Sequence, residues 1–489
     1  MTAIVLAAKQ PSAGALAAIV AGAAIVVAAL AWLFRRDEQA FPLLVVLALP
    51  FRVPISADGR TVNLLVPLYL VIAGGIVGLL LPRLFRRGEA QRSAPGAPAP
   101  GAGGPAPAAA APQRVPAAAA ADPAVRWAQL ALLAAVVLYA LQAIYSDDRA
   151  KAAENLAFFY IPFGLMFLLL RDVRWTRELL LRCLGVMVVL AVLFAGVGFV
   201  EYARKSLFLN PKVVAANQYD NYFRVNSVFF DPSVYGRFLA LVMIALTTAV
   251  LWGRRRAVLA GAAILAWLLA GLVTSFSQSS IVALLLGLAV LAAYRWGLRR
   301  TSLGVGALVA LAGAVLLLAP ASWHFGLTGK GGSTSNATSG RASLIEGGLE
   351  LFGDRPLQGF GSGSFEKQYR AHSRTSQQNA TSASHTIPIT VAAEQGLIGL
   401  VVYLVLIVTA LLALFDRAGR SPPRIAIAAC FAALVLHTWT YADFLEDPFT
   451  WALLAIGLAL ARGGVAQERA VSPDEHVARK RRAVAPGAA

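Results

Sequence analysis

Residues 386–415, TIPITVAAEQGLIGLVVYLVLIVTALLALF, hold a single charged side chain, Glu394. Wound as an α-helix at about 1.5 Å per residue, this run is long enough to cross the roughly 30 Å hydrocarbon core of a bilayer. The rest of the chain repeats the pattern. Of its 489 residues, 58% are hydrophobic and 14% charged, outside the range of soluble globular domains. Apolar runs of similar reach fall near 12–34, 40–56, 61–82, 124–145, 155–170, 178–200, 233–253, 257–274, 279–295, 302–320, 386–415, 425–442 and 448–462. The expected fold is all-α: a polytopic transmembrane helical bundle of about 12–13 spans, the lower count applying if the short, proline-bounded second run does not cross. The first run has one lysine before it and no small-residue cleavage site with a polar start beyond, so it is read as a span and not as a removable signal.

The formal net charge of +18 would suit a nucleic acid if it formed one patch. It does not. Basic clusters at Arg35–Arg36, Arg83–Arg87, Arg171–Arg182, Arg254–Arg256, Arg295–Arg300, Arg417–Arg424 and Arg479–Arg482 are each separated from the next by two spans. By the positive-inside rule they face the cytoplasm, together with the C-terminus. The connections near 146–154, 201–231, 275–278, 321–385 and 443–447 then face outside and carry most of the polar residues of interest. Cys183 and Cys430 both lie in apolar runs, which argues against a disulfide or metal framework.

The chain therefore divides into N-terminal transmembrane helices (1–87), a linker (88–123), a transmembrane core (124–320), a large extracytoplasmic loop (321–385), C-terminal transmembrane helices (386–462) and a basic tail (463–489). The linker is Pro, Ala and Gly with few large apolar side chains, so it buries too little surface to offset its ordering entropy. In the large loop, GRASLIEGGLELFGDRPLQGFGSGSF (340–365) places Leu344, Ile345, Leu349, Leu351 and Phe352 at helical spacing before a glycine-rich turn. An amphipathic helix on the outer face is expected.

Candidate chemistry concentrates at the outer connections. Pro388 suits a first helical turn and sets Ser384–Thr386 at the N-cap, which puts His385 at the positive end of a helix dipole. That environment favours neutral imidazole, the form a general base needs; a capping or interfacial role is the alternative. Glu394 lies deeper in the same helix, where a carboxylate marks either a functional site or the partner of a buried arginine. Gly396 and Gly399 could let a neighbouring helix approach. Asp231 and Pro232 read as N-cap and first residue of another helix, with Arg237 about one and a half turns inside, in need of a carboxylate or a phosphate. Arg224 precedes that helix, where its planar fork suits a diphosphate or, alternatively, lipid headgroups. Among the remaining histidines, His437 lies in an apolar span as a helix-packing hydrogen bonder, His476 in the tail, and His324 and His372 outside. Asp447 and Pro448 read as a further capped helix start, with Asp443 and Glu446 beside them. No H-E-x-x-H, D-x-D or P-loop occurs, so metal-dependent and nucleotide-sugar mechanisms lack an anchor, and no cofactor is expected.

Four stretches together resemble the O-antigen ligase and O-antigen polymerase superfamily of bacterial membrane proteins. GRASLIEGGLELFGDRPLQGFGSGSF resembles its arginine-started loop segment, SHTIPITVAAEQGLIGLVVYL its His…Glu-x-Gly helix entry, RVNSVFFDPSVYG its Asp-Pro-Asn helix start, and TSFSQSS its Ser-Arg hairpin. The resemblance implies a metal-independent, inverting glycosyltransferase in the bacterial inner membrane. It would move a glycan from an undecaprenyl diphosphate carrier to a hydroxyl of a glycan, lipid or protein acceptor on the outer side, without any role for nucleic acid. On that likeness His385 matches the family histidine, Arg341 the loop arginine and Glu394 the helix glutamate. Gln278 stands where the family has its hairpin arginine, so Arg224 or Arg237 would have to supply the missing charge at the diphosphate. A transporter or lipid-linked glycan flippase with an Arg237–Glu394 relay, and a catalytically inactive relative, are the alternatives.

Overall fold

The computed structural model describes residues 13–57, 60–85, 122–208, 223–253, 258–318, 335–373 and 386–463. The expected linker except its last two residues, both ends of the large loop, and the tail beyond 463 lie outside the described residues. In chain order the helices are α1 (Ala13–Arg36), α2 (Ala40–Ala48), α3 (Val66–Phe85), α4 (Pro123–Tyr145), α5 (Arg149–Arg171), α6 (Arg177–Arg204), α7 (Pro232–Leu251) and α8 (Val258–Thr274). They continue with α9 (Gln278–Trp296), α10 (Leu298–Leu318), α11 (Ser335–Asp354), α12 (Phe365–Ser373), α13 (Ile387–Phe415), α14 (Pro422–Trp439) and α15 (Pro448–Gly463). Among the described residues, 9 helices are long and apolar enough to cross a membrane, and α8 and α15 are shorter apolar helices. The chain is an all-α polytopic bundle.

Helix starts follow local side-chain chemistry. Thr176 accepts the Leu179 N–H at 3.1 Å to cap α6, and Asp122 accepts the Ala124 N–H to cap α4. Once formed, the helices divide their apolar surface between protein and surroundings. On α13, Leu397, Val401, Val405, Val408 and Leu412 recur at helical spacing and are exposed, whereas Tyr403, Leu406, Ile407, Ala410 and Leu414 are buried. A helix apolar on both faces is a bilayer helix, with one face left to lipid.

Two cores result. One joins α1–α5 to α13–α15, and the other gathers α6–α9 against α14. A small third cluster of Leu351, Phe360, Phe365 and Ala393 seats the described part of the large loop on α13.

The second apolar run departs from expectation. Only Ala40–Ala48 is helical, and 9 residues rise about 14 Å, less than half a bilayer core. The chain then folds into an antiparallel hairpin of β1 (Val53–Ala57) and β2 (Arg60–Leu64), pairing Val53 with Leu64 and Ile55 with Val62, before α3 begins. Prolines at 50 and 54 explain the change, because each removes a donor and clashes with a preceding helical turn.

Contacts among the interhelical connections show which of them share one end of the bundle. The Asp147 N–H donates to the Phe360 carbonyl, Asn155 donates to Glu446, Val225 N–H donates to the Thr274 carbonyl, and Arg237 reaches the Ala442 and Asp443 carbonyls. The 146–148 connection thus meets the loop segment 355–368, the 223–231 connection meets the 274–277 hairpin, and 440–447 is reached from α5 by Asn155 and from α7 by Arg237, which chains these connections together at one end of the bundle.

Candidate functional site at the loop end

The site is built around a break in a helix. Gly396 takes φ 66° and ψ −165° inside α13, a conformation open essentially only to glycine. The backbone groups freed by the break bond sideways to the turn after α11: Phe360 and Gly361 N–H donate to the Ala393 and Glu394 carbonyls, and Leu397 N–H donates to the Pro356 carbonyl at 2.7 Å. The Gln395 carbonyl accepts from the Gln142 side chain. Irregular backbone within an apolar span persists only where protein satisfies it, and here the turn does so. The close approach that glycine permits at this position is therefore made by the loop's backbone, and not by a neighbouring helix as the spacing of Gly396 and Gly399 suggested.

Glu394 is the second clamp on that turn. Its carboxylate accepts the N–H groups of Gly363 at 2.9 Å and Phe365 at 3.0 Å, the latter the first residue of α12. A carboxylate at a helix N-terminus satisfies donors that have no intrahelical acceptor. Glu394 is thus bound to the loop, and not to Arg237 as the alternative reading required. Ser146 Oγ donates to the Ser362 carbonyl, and Arg355 lies over the Phe360 ring and 3.4 Å from Asp147, which fixes the turn against the start of α5. Leu344 and Leu351 of α11 are buried, whereas Leu349, expected on the same apolar face, is exposed.

Arg237 is committed elsewhere. Its guanidinium meets the Asp447 carboxylate at 2.9 Å with both side chains at most 3% exposed. Asp447 also caps α15 by accepting the Phe449 N–H. Burial raises the Asp447 pKa above its ordinary value, and the guanidinium opposes the rise. Of the carboxylate or phosphate that Arg237 was expected to need, the carboxylate is present as Asp447, and the guanidinium's donors to Ala442 and Asp443 fasten the 440–447 connection. Asp231 does cap α7 as expected, accepting the Ser233 N–H at 2.6 Å.

Arg224 takes a different place. Its Nε donates to the Ser275 carbonyl at 3.3 Å, on the hairpin that leads into Gln278, which is exposed as the first residue of α9. The segment bearing Arg224 is held from behind by Glu201, buried at the end of α6, whose carboxylate accepts the N–H groups of Asn226, Ser227 and Phe208. Inside the hairpin Ser277, Ser279 and Ser280 form a buried hydroxyl cluster on His437 Nε2, with Ser280 at 3.1 Å. His437 is a packing hydrogen bonder, as expected. His372 lies exposed between Glu350 and Asp354 of α11.

Beneath the first turns of α13 lies a cavity of about 170 Å³. Ile387, Thr390 and Glu394 line it on one side, α4 and α5 on another, and Asp443–Glu446 on a third. Asn155 Nδ2 donates to both Glu446 and the Tyr139 hydroxyl at 2.9 Å. Burial, with the Asp443 carboxylate next, pushes the Glu446 pKa up to about 8, against the pull of Lys151 and Arg52. Asn155 and Lys151 escaped sequence reasoning, because an amide and a lysine at the edge of an apolar run look like ordinary boundary residues. The residual signal was that Asn155 precedes LAFFY, an apolar run with no other polar atom than a tyrosine hydroxyl.

The loop end thus joins Arg224 to the hairpin at Gln278, and Glu394 to the turn after α11. It does not join Arg237 to either. His385, His324 and His476 lie outside the described residues, and of Arg341 only the backbone, within α11, is described. Among the described residues no group of three or more His, Cys, Asp or Glu is gathered to hold a metal ion.

Such a molecule is a multi-pass helical membrane protein whose interhelical connections converge on a loop-capped polar site. Residues 263–404, from within α8 to just past the break in α13, match the family model described as O-Antigen ligase. No curated protein matches the chain. The matched segment contains Gln278, Arg341, His385 and Glu394, whereas Arg224, Asp231, Arg237, Asn155 and Glu446 lie outside it.

Proposed function

We propose that the protein transfers a glycan from an undecaprenyl diphosphate carrier to an acceptor hydroxyl on the extracytoplasmic face of the bacterial inner membrane. His385 takes the proton of the acceptor hydroxyl, the oxygen attacks the anomeric carbon, and the bond from that carbon to the diphosphate breaks with inversion. Arg224 and Arg341 receive the departing diphosphate, with the Gln278 amide beside them. The observation that carries this reading is the position of Arg224. The family's hairpin arginine is a glutamine here, and a guanidinium from a neighbouring segment rests on that same hairpin.

Two further features support it. Thr386, next to His385 in the chain, precedes the helix whose Glu394 clamps the turn that follows Arg341's helix, which supports assigning base and loop arginine to one site. The break at Gly396 is of the kind that transporters use to hold ions, but its open groups are met by the turn. That leaves a flippase reading without a substrate contact at the break.

The test is purified protein with undecaprenyl diphosphate oligosaccharide, with and without acceptor, followed by product sizing. A general base contributes about 10²- to 10⁴-fold, so His385→Ala should lose most turnover at normal yield. Unimpaired transfer by well-folded His385→Ala protein sinks the assignment.

A further inference from the structure

The cavity beneath α13 is lined by more polar chemistry than packing requires. Asn155 is 97% buried, from a relative exposure of 3%, and its Nδ2 makes two hydrogen bonds while its Oδ1 has no partner among the described residues. An orphaned acceptor at such depth costs free energy unless a ligand or water meets it. Asn155 also opens a π-helical turn, Leu156–Tyr160, a distortion that often marks functional sites. That turn brings Phe159 and Tyr160 to the cavity wall, and Tyr160 stacks on Tyr139 with centroids 4.1 Å apart.

The charge of the lining selects among ligands. Glu366, Glu394, Asp443 and Glu446 supply four carboxyl groups, of which Glu366 is paired to Arg370 outside the lining, against one lining cation, Lys151, which is paired to Glu154 at 3.0 Å. An anionic ligand would be repelled, so this cavity does not receive the diphosphate. Its lining draws nothing from the Arg224 segment or the hairpin at Gln278, and it opens beside Ile387 and Thr390, next to the helix start that follows His385. About 170 Å³ accommodates one six-membered sugar ring or a cluster of waters.

We infer that this cavity binds the terminal sugar residue of the acceptor, neutral or amino-substituted, with the Asn155 carbonyl oxygen and the Glu446 carboxyl group hydrogen-bonded to its hydroxyls. The inference rests on the transfer reading for the word acceptor, but not for the binding itself. Donor and acceptor would thereby be sorted by charge, the diphosphate to the arginines and the uncharged ring to the acidic hollow.

The experiment uses full-length protein in nanodiscs and saturation-transfer NMR with three probes: methyl glucoside, the methyl glycoside of glucosamine, and glucuronate. The first two should bind and glucuronate should bind about tenfold more weakly or not at all. Asn155→Leu should weaken the first two by a similar factor, with thermal melting confirming its fold. Should that variant fail to fold, Glu446→Gln keeps the shape, and compared with the parent protein above pH 8, where Glu446 is ionised, its glucuronate discrimination should be narrower by several-fold. Equal binding of glucuronate, absence of any sugar signal, or unchanged behaviour in the folded variants each overturns the inference, the second because the hollow then holds water alone. Sugar binding in the expected pattern without product from any lipid-linked donor refutes the transfer reading and leaves the site standing; product formation without sugar binding does the reverse.

Discussion

Arg237 and Asp447, 210 positions apart in the chain, form an ion pair at 2.9 Å that is almost fully removed from solvent. Removing one member leaves an uncompensated buried charge, at a cost of about 3–5 kcal/mol. Arg237→Met alone should therefore lower the thermal midpoint of the detergent-solubilised protein sharply. Arg237→Met combined with Asp447→Asn should recover most of that loss, because Asn still caps α15 and no lone charge remains. A double-mutant cycle by thermal melting reads the coupling, and additive effects would show that the pair is not coupled.

Gly396→Ala tests the helix break. A Cβ there would collide with the Leu357 carbonyl oxygen, and the backbone angles are ones an L side chain adopts only under strain of about 1–3 kcal/mol. The variant should melt earlier and lose transfer, as the turn is forced off α13. A proteolysis time course should show faster cleavage between 355 and 373 than in the parent protein.

Glu446 makes stability pH-dependent. The folded protein keeps its proton up to about 8, while the unfolded chain releases it near the ordinary carboxylate value of 4.5. Stability from this group is full below about 4.5 and declines as pH rises toward 8, since over that window only the folded state binds the proton. Asp443 and Glu394 reinforce the rise, whereas Lys151 and Arg52 moderate it. Melting curves between those limits should fall with pH in the parent protein and less steeply in Glu446→Gln.

Arg224 and Gln278 give a charge-exchange test. Arg224→Ala should weaken binding of undecaprenyl diphosphate, and adding Gln278→Arg should restore it from the other side of the hairpin. Because Glu201 holds the Arg224 segment by three N–H groups, Glu201→Ala should weaken the same binding while Glu201→Gln retains part of it. Equilibrium binding with the lipid carrier reads all four, and donor affinity unchanged in Arg224→Ala counts against the assignment.

The division of the chain into apolar runs made the bundle legible, since each run reports only on its own transfer into lipid. The capped starts at Asp231–Pro232 and Asp447–Pro448 were legible for the same reason, because cap and donor lie two positions apart. Partner choice was not. Whether Arg237 would meet Glu394, a phosphate or Asp447 depends on how remote connections meet, and hydropathy carries no information about that. Asn155 and Glu446 are 291 positions apart and neither sits in a motif. The hairpin at 53–64 was hidden because its β-branched residues also score as membrane apolar, and only the prolines hinted at it.

The interruption at Gly396 gives α13 two mechanical owners. Carbonyls 393–395 and the N–H groups of 397 and 398 bond off the helix axis, to the 356–361 turn and to Gln142 of α4, while Ile387 and Val391 pack on the bundle core. What hydropathy counts as one rod is two helical segments joined at a non-helical residue. Loop turn, bundle and helix are thus fastened to one another at a single irregular residue.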